Sequence, residues 1–435
     1  MSRYQSWGRY PKVLQSARVL AGSGARLDLA AGECVLPFGN GRSYGDSCLT
    51  GGTLLDTAKL NRIIAFDTET GVVRCEAGLL LCDLTAATLP AGWFVAVTPG
   101  TQYVTIGGAI ANDVHGKNHH VRGTFGAHVR AFELLRSDGT RRVCSATANA
   151  ELFAATIGGL GLTGLISWAE IQLMPVASST IDQTITPFAN LADFMELAVA
   201  CDATHEYSVA WIDSLASGAN LGRGLYIKGN HAREADARGA ASSGQRLSVP
   251  FELPVPLIGT TTLRAFNALY RRQTLGREKS ASVSYRPFFY PLDAIGGWNR
   301  LYGPRGLLQH QSVVPLGPGL SVVAELLERS QRAGFGSFLT VLKVFGANAS
   351  PGLLSFPMPG LTLTLDFANS GPAVFALLDQ LDEVVLASGG RINPYKDARM
   401  RPATFAASFP GVSQFRAHID PAFCSLFWTR VAGAA

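Results

Sequence analysis

Apolar and polar positions along the chain recur in short blocks, and the spacing within each block predicts a modest strand or helix. From Cys34 to Asp56 an apolar strand runs into Gly39, Gly41 and Gly45 and resumes as a strand at Thr53 to Leu55. Glycines so spaced predict a tight loop whose amides point one way, with an ordinary hairpin turn as the plainer alternative. Val72 to Trp93 reads strand, helix, then a Pro/Gly turn. Val129 to Ala146 alternates around Ser137-Asp138-Gly139, a hairpin signal. Asn149 to Ala155 predicts a short helix with Asn149 as its N-cap. Gly159 to Gly164 matches G-x-G-x-x-G, but a helix precedes it and the alternating Leu165 to Pro175 follows, the reverse of a dinucleotide fingerprint. It is read as a helix-to-strand turn close to a ligand.

Many short strands up to Pro175 argue for an α+β fold rather than a doubly wound parallel sheet. A first domain is therefore expected over residues 1–175 and a second over 176–390. The second starts with a polar and helical stretch and a strand at Ser208 to Ile212, and Ala232 to Arg246 has the composition of a mobile loop. Phe251 to Ile258 is apolar and trailed by Arg264, Arg271 and Arg272. It reads first as a buried loop before a helix with solvated arginines, and second as a lipid contact with arginines at head groups. Gln309 and Gln311 share one face of a strand, either walling a substrate or facing solvent. Ser321 to Ala333 predicts an amphipathic helix and Phe338 to Gly346 a strand. Within that strand Lys343 is either an edge residue or a functional cation. Leu361 to Ala368 predicts a strand with Thr362 and Thr364 on one face, and Ala373 to Ala387 a helix stopped by Gly389 and Gly390. This order suggests an antiparallel sheet covered by helices on one face.

With 47% apolar residues in 435, both cores can be filled. A formal charge of +5 with only 16% charged residues excludes a nucleic-acid binder and favours an anionic small molecule or membrane surface. Seven cysteines form no C-x-x-C pair, so neither zinc nor a disulfide framework is indicated, and the reducing cytoplasm is the simpler compartment. No uncharged apolar run reaches the ~18 residues of a spanning helix, and the N-terminus lacks a secretion signal.

Thr98 to Gly126 is the stretch least like a packed core. Pro99, Gly100, Thr101, Thr105, Gly107 and Gly108 suit close approach to phosphate oxygens, and Asp113, His115, Lys117, Asn118, His119 and His120 bring reactive groups after them. A diphosphate-bearing cofactor with chemistry beside it is the expectation. A zinc hydrolase built on His115, His119 and His120 is the rival, weakened by Gly116 and by the lack of a glutamate after His115.

The ordered series 39–46 (GNGRSYGD), 99–120, 158–164, 207–213, 290–304 (YPLDAIGGWNRLYGP), 307–311 (LLQHQ), 341–346, 354–360 and 395–399 (YKDAR) resembles the vanillyl-alcohol-oxidase-type FAD enzymes. Within them it is most similar to the decaprenylphosphoryl-ribose oxidase family. The resemblance covers nearly the whole chain and implies a PCMH-type FAD-binding domain, a substrate domain, and a segment 391–435 returning to the first. It implies FAD held by Gly39, Asn40, Gly41, Arg42, Ser43, Tyr44, Gly45 and Asp46, then by Gly100, Thr101, Thr105, Ile106, Gly107 and Gly108. Asn112, Asp113, Val114, His115, Gly161, Ile166 and Asn393 complete that set. Arg42 stands where a covalent flavin-linked histidine is common, so non-covalent FAD is expected.

The implied reaction is hydride transfer from a secondary carbinol carbon, the 2-hydroxyl carbon of a lipid-linked or phosphorylated ribose, to flavin N5. Lys396, His115 and Lys117 are the implied catalytic residues. Trp211, Phe289, Gln309, Gln311, Lys343 and Thr364 are the implied substrate residues. Thr364, Phe289 and Asn393 depart from the family's cysteine and two tyrosines, which bears on substrate fit. Where Lys396 is not delivered to the first domain, it reads as a surface pair with Asp397. A short-chain reductase completing an epimerisation, and peripheral contact with the inner face of the membrane, are implied partners. A sugar or lactone oxidase acting on a soluble polyol is the alternative enzyme.

Overall fold

The computed structural model describes residues 3–234, 247–252 and 254–432, so most of the Ala232 to Arg246 stretch lies outside the described residues. The fold is α+β and built on two large sheets. In the first, Ile63–Asp67, Val72–Glu76, Leu165–Pro175, Val129–Leu135 and Arg141–Ser145 lie side by side, and Trp93–Val95 joins Leu165–Pro175. The second orders Lys279–Ser284, Thr180–Phe188, Gly224–His231, Tyr207–Ile212, Val341–Phe345, Gly360–Ala368, Leu307–Val314 and Arg391–Ile392, antiparallel throughout.

Alternation along the second sheet separates a greasy face from a polar one. Leu361, Leu363, Leu365 and Phe367 join Phe194, Leu326 and Leu381 from the helices Leu191–Asp202, Leu316–Arg332 and Pro372–Ala387 in one core. Gln309, Gln311, Lys343 and Thr364 reach the cavity on the other side. Lys343 is on an interior strand, which removes the edge-residue reading, and both glutamines are buried, which removes the solvent reading.

Several local expectations need correction. Val35–Phe38 and Thr53–Asp56 pair in parallel, so the glycine loop between them is a crossover and not a hairpin turn. The helix expected from Ser321 starts at Leu316, because Pro315 supplies a stop in extended backbone and Gly319 packs on Leu361. Asn149 precedes the Ala150–Thr156 helix but does not cap it through its side chain; its amide donates to Val143 O at 2.8 Å instead. Phe251, Val255 and Leu257 are 63%, 61% and 53% exposed, against the reading of a buried loop.

Cys34 and Cys424 form a disulfide across 390 positions, one pair where the cysteine spacing indicated no framework. Spacing in sequence carried no hint of it, because the pair depends on the C-terminal segment folding back. There Val35 N bonds Ala422 O, and Tyr44 N bonds Tyr395 O. Arg430 pairs with Asp46 and Asp397. Gly45 allows this closure: a Cβ there would fall 1.5 Å from Asp397 O. No helix among the described residues is long and apolar enough to cross a membrane.

Candidate active site

One cavity of about 300 Å3 runs between the glycine loop and the polar face of the second sheet. Its wall includes Gly39 to Tyr44, Gly100, Thr101, Thr105, Gly107, Gly108, Asn112, Val114, His115, Lys117, Gly161 and Ile166. Gln309, Gln311, Lys343, Thr364 and Lys396 complete it on the sheet side. The backbone amides of Asn40 to Ser43, and of Gly100 and Thr101, have no acceptor among the described residues. Unpaired amides on two neighbouring loops make a cradle for a diphosphate. Gly39 is required where the loops meet, since a Cβ there would fall 2.4 Å from Thr105 Oγ1. Arg42 lies 4.3 Å from the Trp7 ring and 5.3 Å from Tyr103, with its Nε buried and unpartnered among the described residues. Burial holds that guanidinium below its usual pKa, while Asp293 acts in the opposite direction. These features suit an anionic, partly aromatic cofactor.

Beyond the cradle the cavity turns cationic. Lys343 Nζ lies 3.2 Å from His115 Nδ1 and 3.2 Å from Gly116 O. Gln311 Nε2 meets the other ring nitrogen at 3.0 Å, and Asn393 donates to Gln311 Oε1 at 2.9 Å. Burial, then repulsion from Lys117 and Lys396, lowers Lys343 to about 7, so its charge is in balance near neutrality. Burial, then the Lys343 charge, pushes His115 well below its usual value. Lys117 Nζ donates to Phe289 O at 3.3 Å, and burial lowers it to about 8. Lys396 Nζ lies 3.9 Å from the Tyr44 ring centroid, and burial lowers its pKa while Asp366 raises it. The surface pairing of Lys396 with Asp397 does not occur, because Asp397 is buried and bonds Arg399 N, Met400 N and Arg430.

Other named residues stand behind the wall. Trp211 packs against Tyr270 and Leu225, and Phe289 stacks on Phe94. Asp46 is engaged by Arg430, while Asp113 accepts from Gly126 N, Ser350 and Ser355. Ile106 is core, Gly45 touches the returning chain, and Asn393 acts through Gln311. His119 is packed 4.4 Å from the Phe345 ring and lowered to about 3 by burial. Among the described residues no three His, Cys, Asp or Glu side chains gather closely enough to hold a metal ion. Trp7, Asp293, Trp298 and Tyr395 also line the cavity and were not expected there. Asp293 lies inside the Tyr290 to Pro304 motif, the one signal that could have found it.

The chain matches the FAD binding domain family over residues 25–145. It is 35% identical to decaprenylphosphoryl-beta-D-ribose oxidase of Mycolicibacterium smegmatis, over 96% of this chain and 94% of that protein. An uncharacterized protein of Streptomyces coelicolor is 36% identical over 79% of this chain and 96% of its own. L-gulonolactone oxidase of Mus musculus is 34% identical over 32% of this chain and 31% of its own, a similarity confined to a third of each. The unpaired amides and buried guanidinium fit FAD, with Asn40 to Ser43, Gly100, Thr101 and Arg42 as the groups that would hold it. This chain is therefore an FAD-dependent oxidoreductase with a PCMH-type FAD-binding domain and belongs to the decaprenylphosphoryl-beta-D-ribose oxidase family.

Proposed function

We propose that the protein oxidises the ribose 2-hydroxyl of a polyprenyl-phosphoryl ribose to a keto sugar, the first half of an epimerisation to arabinose. The observation that carries this reading is the convergence of Lys117, Lys343 and Lys396 with His115 in the cavity that also receives the glycine loop. Bound FAD supplies the hydride acceptor, flavin N5, for the secondary carbinol carbon. Lys396 orients the hydroxyl and takes its proton, since a buried lysine reaches the basic form closer to neutral pH. Lys117 and Lys343 would provide compact positive charge for the substrate phosphate or for the bound cofactor. Gln309 and Gln311 offer amides to sugar hydroxyls, and Thr364 sets the width of the wall beside them.

FAD is held without a covalent link, as the glycine loop presents Arg42 and no histidine. A short-chain reductase partner would return the keto carbon to the opposite alcohol. The exposure of Phe251, Val255 and Leu257, with Arg264 and Arg272 exposed just after them, supports peripheral contact with the inner, anionic face of a membrane where a lipid-linked sugar resides.

The test uses the purified protein. Its visible spectrum should show flavin, denaturation should release it, and anaerobic polyprenyl-phosphoryl ribose should bleach it while free pentitols should not. Bleaching by free pentitols would favour an aldonolactone- or alditol-type oxidase acting on a soluble polyol.

A further inference from the structure

Lys396 sits in a turn that is fastened on both sides, and the fastening passes through a carboxylate on the helical side of the second sheet. Asp382, on the helix Pro372–Ala387, is buried, and its Oδ1 lies 3.1 Å from His310 Nε2. Arg399 donates to both of its oxygens at 2.9 Å, and also to Asp379 Oδ1 at 2.7 Å and Leu378 O at 3.1 Å. His310 stands between Gln309 and Gln311 on the strand Leu307–Val314, so by alternation it reaches the helices while the two glutamines reach the cavity. Arg399 follows Lys396 by three positions. Its backbone amide donates to Asp397 Oδ2 at 2.8 Å, and Arg430 donates to the same oxygen at 3.3 Å. On the other side of the turn, Asn393 N bonds Gln311 O at 2.8 Å and Lys396 N bonds Asn393 O at 3.3 Å.

A carboxylate that accepts two parallel bonds from one guanidinium fixes both its place and its orientation. Asp382 therefore ties the lysine-bearing turn to the strand that carries the two glutamines, although it does not itself line the cavity. We propose that Asp382 is a positioning residue for the reaction: through Arg399 and His310 it keeps the Lys396 turn and the Gln309 to Gln311 strand in one frame, so that base and amides address the same substrate group. This rests on Lys396 as the acceptor of the hydroxyl proton. Misplacing a reacting group by about 1 Å costs on the order of 10²-fold in rate. The cofactor cradle, built on the glycine loop with Gly100 and Thr101, does not depend on Asp382 for its amides.

The test compares wild type, Asp382→Asn, Arg399→Met and Arg399→Lys as FAD-loaded proteins. Asp382→Asn and Arg399→Met should each lower the anaerobic flavin-reduction rate by about 10–100-fold, with KM and the flavin-to-protein ratio within about twofold of wild type. Arg399→Lys, which keeps the charge and one bond to the carboxylate, should restore most of that rate. A network that only stabilised the fold would lower Tm without separating rate from KM. A second readout needs no substrate: hydrogen exchange of the backbone amides across residues 393–400 should quicken in Asp382→Asn and Arg399→Met, while the helix Ile106–Ala111 keeps its wild-type exchange. If Asp382→Asn does not fold, the two Arg399 variants carry the test. A wild-type reduction rate in Arg399→Met overturns the role, as does unchanged exchange across 393–400, or a loss of flavin that matches the loss of rate. If polyprenyl-phosphoryl ribose fails to reduce even the wild-type flavin, it is the substrate reading that fails, and the exchange comparison alone decides whether Asp382 holds the turn.

Discussion

The Nζ of Lys396, in the segment that folds back on the first sheet, lies 3.9 Å from the centroid of the Tyr44 ring in the glycine loop. The loop's amides do not depend on this contact, but the placement of the lysine does. Lys396→Ala should therefore retain yellow FAD and lose substrate-dependent bleaching by about 10²–10⁴-fold. Stopped-flow reduction under anaerobic conditions measures this, and bleaching at the wild-type rate would remove Lys396 from the mechanism.

Lys343 gives two linked expectations. Below about 7 it is charged and can hold a phosphate; above that value the charge is lost, so KM for the phosphorylated substrate should rise with pH through neutrality. In Lys343→Met that pH dependence should flatten. The folded-state pKa is also depressed below that of an unfolded lysine, so the unfolded chain binds more protons between about 7 and the ordinary lysine value of 10.5. Stability should then rise with pH across that window. Methionine should raise Tm most at and below neutral pH and least in alkali. Equal Tm gains at both ends of the range would contradict the burial of this charge.

Gly39→Ala places a methyl 2.4 Å from Thr105 Oγ1, where the two cofactor loops touch. Either the loops separate or the threonine turns away from Gly108 N, which its hydroxyl now accepts from at 3.1 Å. Overpacking of this kind costs about 1–3 kcal/mol, and it falls on the cradle. The ratio of flavin to protein absorbance after gel filtration should drop, and a ratio unchanged from wild type would show that the cradle tolerates the methyl.

The Cys34 to Cys424 bond closes a separation of 390 residues. By loop-closure entropy such a link stabilises the native state by on the order of 5 kcal/mol. Thermal unfolding with and without reductant should differ by several degrees, and Cys424→Ser should abolish the difference. Identical Tm values in both conditions would mean the pair makes no contribution.

Much of the site was legible because its chemistry is local. The loop from Gly39 to Gly45 and the run from Pro99 to Gly108 carry their glycines and threonines within single short stretches, and both line the cavity. Gln309, Gln311 and Lys343 stood out as polar breaks in apolar strands, and the sheet turns all three inward. What could not be read is what depends on distant closure. Trp7 sits in a polar, aromatic start with no motif, and reaches the cavity only by packing on Trp298 and Arg42. Trp211 has an inward-looking strand position, yet Tyr270 from the Thr260–Arg272 helix draws it away. The disulfide was hidden for the same reason, since cysteine counting carries no information about which ends of a chain meet.

The backward run of residues 391–432 has a consequence for the order in which this protein becomes competent. During synthesis the glycine loop leaves the ribosome hundreds of residues before Lys396, Asp397 and Arg430, the groups that cover it. The emerging chain can form the first sheet from its own hairpins, but its cofactor cradle stays open on one side until residues 391–432 have been made. A fragment stopped before Lys396 would carry the glycine loop without the segment that closes over it.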